Sequence, residues 1–257
     1  MAPEAAPADD PLLEWLLRAG DDVLVLGQRL GEWCGHAPAL EEDIAVANTA
    51  LDLVGQTQLW LGCAAQRKGE GTADDLAFRR DAWEFRNLLL VERPNRDFGH
   101  TMMRQFLFDA RHLPWLEALT ASSDEHVAAI AAKAAKEAAY HLERSAGVVI
   151  ALGDGTEESR ARMQDALDRL WPYTGEMFAG DDVDAAMEAD GVAPMPETLK
   201  EGWDQRVRGV LAEATLTVSE DVPMQSGGRD GRRHSEHLGH MLAQMQWLQR
   251  AYPGAAW

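Results

Sequence analysis

The sequence predicts an all-α protein, a four-helix bundle followed by accessory C-terminal helices, and three observations lead there. Ala, Leu, Glu and Arg recur along the chain, whereas only three of its 257 residues are Tyr and aromatics make up 7%. Such a composition favours helices over sheets. Apolar residues return at three- and four-residue steps through four long stretches, the period of helices with one buried face. A long connection separates the second stretch from the third. Two helical pairs joined by a crossover are what a ferritin-like bundle needs, whereas short loops throughout would mark a simple up-down-up-down bundle.

Residues 1–11 are rich in Ala, Pro and Asp and are expected to form a disordered tail, with a single ferritin-like helical domain over 12–257. The first helix carries Leu13, Leu16, Gly20, Val23, Gly27, Leu30 and Cys34 on one stripe and ends at Gly35. Pro38 suits the first position of a second helix. Its inward stripe is Val46, Ala50, Leu53, Thr57, Trp60 and Ala64, and Gly69 stops it. Residues 72–95 are expected to hold shorter helical pieces in a crossing connection, punctuated by Pro94 and Asn95.

A third helix begins near Asp97, with Phe98, Met102, Phe106, Asp109, Leu113 and Leu116 on its stripe; Pro114 predicts a kink or an early end. Ser123 or Asp124 can cap a fourth. There the stripe is Val127, Ala131, Ala134, Ala138, His141, Ser145, Val148 and Leu152, with Gly153 at the end. Accessory helices are expected over 156–171, 181–189, 197–215 and 235–250, separated by Gly- and Pro-containing turns.

Composition also excludes functions. The formal charge is −19, from 43 acidic and 24 basic residues, which repels phosphate backbones and anionic lipid surfaces. Neither a nucleic-acid binder nor a membrane-surface protein is expected. Cys34 and Cys63 fall in no zinc or redox spacing and are read as two buried free thiols. No basic-plus-apolar leader and no apolar run near the ~20 residues of a membrane span is present, so a cytoplasmic location is expected. Gly153-Asp154-Gly155 lacks the remainder of a dinucleotide fingerprint, and neither a P-loop nor a nucleophile elbow occurs.

A helical bundle of this kind suggests one chemistry to test first. A di-iron carboxylate site takes one carboxylate from each of two helices and a Glu-x-x-His pair from each of the other two, because i and i+3 share an inward face. Here the residue three before His141 is Ala138, and Glu137 is one position off. On the second helix, Asp52-Leu53-Val54-Gly55-Gln56 has the shape of the motif with Leu53 and Gln56 at its ligand positions. Both metal-binding pairs are broken.

Gly31-Glu32-Trp33-Cys34-Gly35-His36-Ala37-Pro38, followed by Leu51-Asp52-Leu53-Val54-Gly55-Gln56, resembles the C-subunit family of phenylacetyl-CoA 1,2-epoxidase, a multicomponent monooxygenase. Asn87-Leu88-Leu89-Leu90-Val91-Glu92, Lys136-Glu137-Ala138-Ala139-Tyr140-His141-Leu142 and Glu236-His237-Leu238-Gly239 to Met245-Gln246 are similar to the same family. The resemblance implies a non-catalytic structural subunit in phenylacetate catabolism. It also implies pairing with the di-iron, A-type catalytic subunit of the epoxidase, assembly through a B-type bridging subunit, and electrons from a separate reductase. Laid over this chain, the metal-ligand positions of that catalytic subunit fall at Val23, Leu53, Gln56, Asp109, Ala138 and His141. Only Asp109 and His141 retain metal-binding chemistry, so no metal, no cofactor and no catalytic residue is expected in this chain. The alternatives are an oxidase with one unusual metal site around Asp109 and His141, or a scaffold for another aromatic oxygenase.

Other signals have structural readings. Asp109 and His141 are expected to satisfy one another through a hydrogen bond or a bound water, since burying either alone is costly. Glu32 and His36 flank the end of the first helix, where a cationic His is commonly structural. His234, His237 and His240 are spaced by three, which turns the outer pair about 120° apart on a helix; a solvated or subunit-contacting face is expected. Arg229, Arg232 and Arg233 form a basic cluster in a Gly-rich surface loop, suited to an acidic partner or an anionic ligand.

Overall fold

The computed structural model describes residues 10–219 and 222–255. Among these residues there are ten α-helices, several short 3₁₀ turns and no strand. None of the helices is long and apolar enough to cross a membrane. Two compact units divide the chain, one running through Pro94 and resuming at Ser226, the other spanning Asn95–Gln225.

The first unit is built on α1 (Pro11–Gly31) and α2 (Leu40–Lys68), with α3 (Ala73–Phe78), α4 (Leu89–Glu92) and α10 (Glu236–Ala251) packed around them. Residues 1–9 of the tail expected over 1–11 lie outside the described residues, and Asp10 and Pro11 begin the first helix instead of extending that tail. Pro11 opens α1, and the Asp10 side chain accepts from Leu13 N at 3.2 Å, satisfying one of the orphan amides of the first turn. Glycines let α1 and α2 approach closely. A Cβ on Gly20 would lie 2.4 Å from Leu61 Cδ2, and one on Gly27 would lie 3.2 Å from Leu53 Cβ.

All six residues of the expected α2 stripe are buried. α1 departs from a one-sided stripe: between Trp15 and Leu30 only Leu17 and Gln28 are not fully buried. It also ends at Gly31, four residues early, and a turn follows in which Gly35 adopts left-handed backbone at φ 83°. The Asp43 carboxylate accepts from Gly35 N at 2.7 Å and Ala37 N at 3.4 Å, holding the loop open. Cys34 is consequently exposed and Cys63 half-buried, so the two thiols are not the buried pair expected. Leu40, not Pro38, begins α2, and Gly69 closes it at φ 77°.

The second unit holds α5 (Phe98–Leu119) and α6 (Glu125–Gly153), followed by α7 (Glu157–Leu170), α8 (Asp182–Ala189) and α9 (Lys200–Glu213). Asp97 caps α5, accepting from His100 N at 2.7 Å, and Asp124 rather than Ser123 caps α6 through His126 N and Val127 N. α5 continues through Pro114 instead of ending there. Proline cannot donate to the carbonyl four residues back, and that Ala110 oxygen accepts from Arg206 Nη1 at 3.4 Å. The indole of Trp203 donates to Leu107 O at 3.0 Å and packs on Trp171 and Phe178, fastening α9 to α5. Gly153 closes α6, and a Cβ there would lie 2.4 Å from Ala214 O, so only glycine lets the two backbones approach this closely.

Candidate functional site

In the first unit, the three positions that the resemblance assigns to metal ligands are filled without ionisable groups. Val23 and Leu53 are 0% exposed and Gln56 1%. Two aliphatic side chains there supply packing and no donor atoms.

The concentrated polar chemistry of this unit lies around Glu92, at the end of the apolar run Leu88–Val91. Its side chain is completely buried. Oε1 accepts from Asn87 Nδ2 at 3.1 Å and His234 Nδ1 at 2.5 Å. Oε2 accepts from both the amide and the hydroxyl of Ser235 at 2.7 Å. Four donors on two oxygens satisfy a buried carboxylate and leave it no open position for substrate or metal. The backbone oxygen of Glu92 accepts from Arg29 Nε and Nη2, while Nη2 also reaches His237 O at 3.0 Å and Nη1 holds Glu32.

A second buried pair braces the same segment. Asp21 receives both terminal nitrogens of Arg80 and the amide of Arg86, and Asp22 Oδ1 accepts from Leu88 N at 2.7 Å. The segments around Glu32, Asn87–Glu92 and Glu236 are thus tied together by buried hydrogen bonds, and their geometry is that of a structural clamp.

This arrangement corrects the reading of the histidine series. His234 precedes α10 and turns inward between Glu92 and the carbonyl of Phe85, 3.1 Å from Nε2. His240 is exposed, as a solvated or contacting face requires. His237 is half-buried, and burial, followed by the charges of Arg93 and Arg29, holds its pKa below the usual imidazole value. Glu32 and His36 do not bond to each other: Glu32 pairs with Arg29, and His36 Nδ1 donates to Cys34 O at 3.1 Å. The arginine-rich loop is anchored as well as exposed. A Cβ on Gly228 would lie 2.3 Å from Asn87 O, while Arg232 and Arg233 face solvent and Arg232 Nε lies 3.3 Å from Asp230 Oδ2.

In the second unit, Asp109, Ala138 and His141 are all buried on the inward stripes of α5 and α6. Asp109 hydrogen-bonds Gln105 and Ser145. Gln105 Nε2 lies 2.7 Å from Oδ1 and Ser145 Oγ 2.8 Å from Oδ2. Burial is the dominant influence and outweighs these hydrogen bonds, raising the Asp109 pKa to about 8. The carboxyl is therefore protonated at neutral pH. The Ser145 hydroxyl, which donates to Oδ2, also lies 3.3 Å from Leu142 O. His112 stacks between Phe108 and Trp115 at centroid distances of 4.8 and 5.6 Å. Burial first, then Arg111 and His141, push its pKa well below the usual imidazole value.

Sequence reasoning missed Glu92, Gln105 and His112 as buried polar residues. An acidic residue closing an apolar run was a signal for Glu92, and the i,i+4 spacing of Gln105 and Asp109 for that pair. Among the described residues, no group of three or more His, Cys, Asp and Glu side chains is placed to hold a metal ion.

The chain is 50% identical over 246 residues to the C subunit of 1,2-phenylacetyl-CoA epoxidase from Escherichia coli (strain K12), a match covering 96% of this chain and 99% of that protein. Residues 2–257 match the family described as phenylacetic acid catabolic protein, PaaA_PaaC. The all-α, ferritin-like class agrees with that match, and the segments clamped at Glu92 are among those that carried the resemblance. Spanning nearly the whole sequence, the two matches establish that the chain belongs to the phenylacetic acid catabolic protein family.

Proposed function

We propose that this chain is the non-catalytic structural subunit of a phenylacetyl-CoA 1,2-epoxidase complex. In this reading it pairs with and stabilises the di-iron catalytic subunit, joins a larger assembly through the bridging subunit, and meets the reductase only indirectly. The observation that carries the reading is the chemistry at the six former ligand positions. Val23, Leu53 and Ala138 offer carbon, Gln56 a neutral amide, Asp109 a buried carboxyl committed to Gln105 and Ser145, and His141 a single buried imidazole. A di-iron centre requires several anionic oxygen donors, and this set does not fit one. No reaction step is assigned to the chain.

The test has two arms. Purified alone, the protein should contain far less than one iron per chain by elemental analysis and should not oxidise phenylacetyl-CoA. In a reconstituted system with each component omitted in turn, leaving this one out should abolish epoxidation or the solubility of the catalytic subunit. Stoichiometric iron in this chain, or a catalytic subunit that is fully active and soluble without it, overturns the proposal.

A further inference from the structure

The outward face of α2 carries apolar side chains that the fold leaves uncovered. Leu40 is 71% exposed, Ile44 52%, Leu51 69% and Val54 42%. Between Ile44 and Gln66 the one charged residue is Asp52, which is half-buried. Ile44, Asn48, Leu51, Gly55, Gln58 and Gly62 follow one another at alternating steps of four and three, the spacing of a seam that packs against another helix. These positions span about 27 Å.

The seam complements itself. Reflected about Leu53, Leu51 falls on Gly55, Asn48 on Gln58 and Ile44 on Gly62. An antiparallel copy of the same helix therefore sets each large aliphatic side chain against a glycine and one amide against another, and a two-fold axis repeats every layer. Side-chain amides donate and accept, so Asn48 and Gln58 can pair across that axis. The two glycines answer no need of this chain's own packing, since a Cβ at Gly55 or Gly62 would meet nothing within 4 Å. Glycine is a poor helix former; at these positions its missing bulk leaves room for Leu51 and Ile44 of a facing helix.

Charge favours the same direction. The first turn of α2 carries Glu41, Glu42 and Asp43, and its last turn carries Arg67 and Lys68. Antiparallel pairing brings opposite signs together at both ends. Arg67 and Lys68 keep 52% and 47% of their side chains exposed beside their own partners, Asp10 and Glu70. The −19 charge of each copy opposes association, but at physiological salt it is screened beyond about 8 Å, whereas the seam acts by contact.

We infer that the outward face of α2 is a self-association surface, on which a second copy of this chain docks antiparallel through the same helix about a two-fold axis beside Leu53. This dimer is separate from the role proposed above and needs no other subunit. A seam of this length buries on the order of 1,000 Å², the lower edge of stable interfaces, so association is expected to be reversible and concentration-dependent.

The experiment measures the purified full chain by sedimentation equilibrium and by size-exclusion chromatography with light scattering over a wide concentration range. Wild type should pass from monomer to dimer. Gly55→Leu sets leucine against Leu51 in both central layers and should weaken the dimer by about 10-fold to 100-fold through overpacking. Its monomer should melt at the same temperature or higher, since leucine is the better helix former. Adding Leu51→Gly to Gly55→Leu returns one leucine and one glycine to each central layer and should recover the dimer, a rescue that only the antiparallel two-fold register produces. Gly62→Leu, which faces Ile44, repeats the first arm should Gly55→Leu fold poorly. Gly209→Leu, at an exposed helical glycine on α9 with equally open surroundings, should change nothing. A wild-type chain that stays monomeric up to its solubility limit overturns the proposal and leaves this face to a different protein. A dimer that ignores both seam substitutions, or that the double variant does not recover, overturns it as well.

Discussion

Glu92 and His234, separated by 142 positions in the sequence, meet at 2.5 Å in a side-chain pair from which solvent is almost wholly excluded. With Asn87 and Ser235 also donating, the acid is acceptor-only on both oxygens. Glu92→Gln keeps the shape but turns an amide NH2 toward two of those donors. It should destabilise the protein by about 2–4 kcal/mol, read as a lower urea midpoint with unchanged helical content. A loss below about 0.5 kcal/mol would mean that the clamp contributes little to stability.

Asp109→Asn should stabilise the protein above acidic pH. The native carboxyl holds its proton to about pH 8, whereas in the unfolded chain it ionises near pH 3.9. Between those values the unfolded state binds fewer protons, so stability falls as pH rises, by about 1.4 kcal/mol per unit. Asparagine can accept from Gln105 and donate to Ser145 without ionising. The gain at pH 7 should be on the order of 2–4 kcal/mol and should vanish below about pH 4. Urea melts across this range measure it, and a pH-independent gain would refute the assignment.

His112 acts in the opposite direction. Its native pKa lies well below the usual value, while the unfolded imidazole protonates near pH 6.5. Its contribution to stability is therefore lost as pH falls below about 6.5, again at about 1.4 kcal/mol per unit. His112→Phe retains a ring between Phe108 and Trp115 and should flatten the acid side of the stability profile. An unchanged slope between pH 6.5 and 5 would show that this ring is not a source of acid sensitivity.

Gly228→Ala tests the anchoring of the arginine-rich loop. Its new methyl would lie 2.3 Å from Asn87 O and 3.0 Å from Leu89 N, both backbone atoms with little freedom to yield. The substitution should cost about 1–3 kcal/mol. Gly202→Ala, in open space on α9, should be neutral or stabilising in the same thermal melts.

The helix class and nearly every helix position were legible in the chain, because a 3.6-residue period depends only on which residues avoid water. The buried stripes of α2, α5 and α6 follow from that period alone. So does the absence of ligand chemistry at Val23, Leu53 and Ala138, since an aliphatic side chain has no donor wherever it lies. The partners of buried polar groups were not legible. Asp109 hydrogen-bonds Gln105 and Ser145, partners set by the rotation and separation of two packed helices, which periodicity leaves open. His234 reads as one of three surface histidines until the chain returns to place it on Glu92. Sequence by itself determined the helices and the aliphatic chemistry at Val23, Leu53 and Ala138; tertiary structure decided where each buried polar group is satisfied, because desolvation forces it onto whatever neighbour the packing supplies.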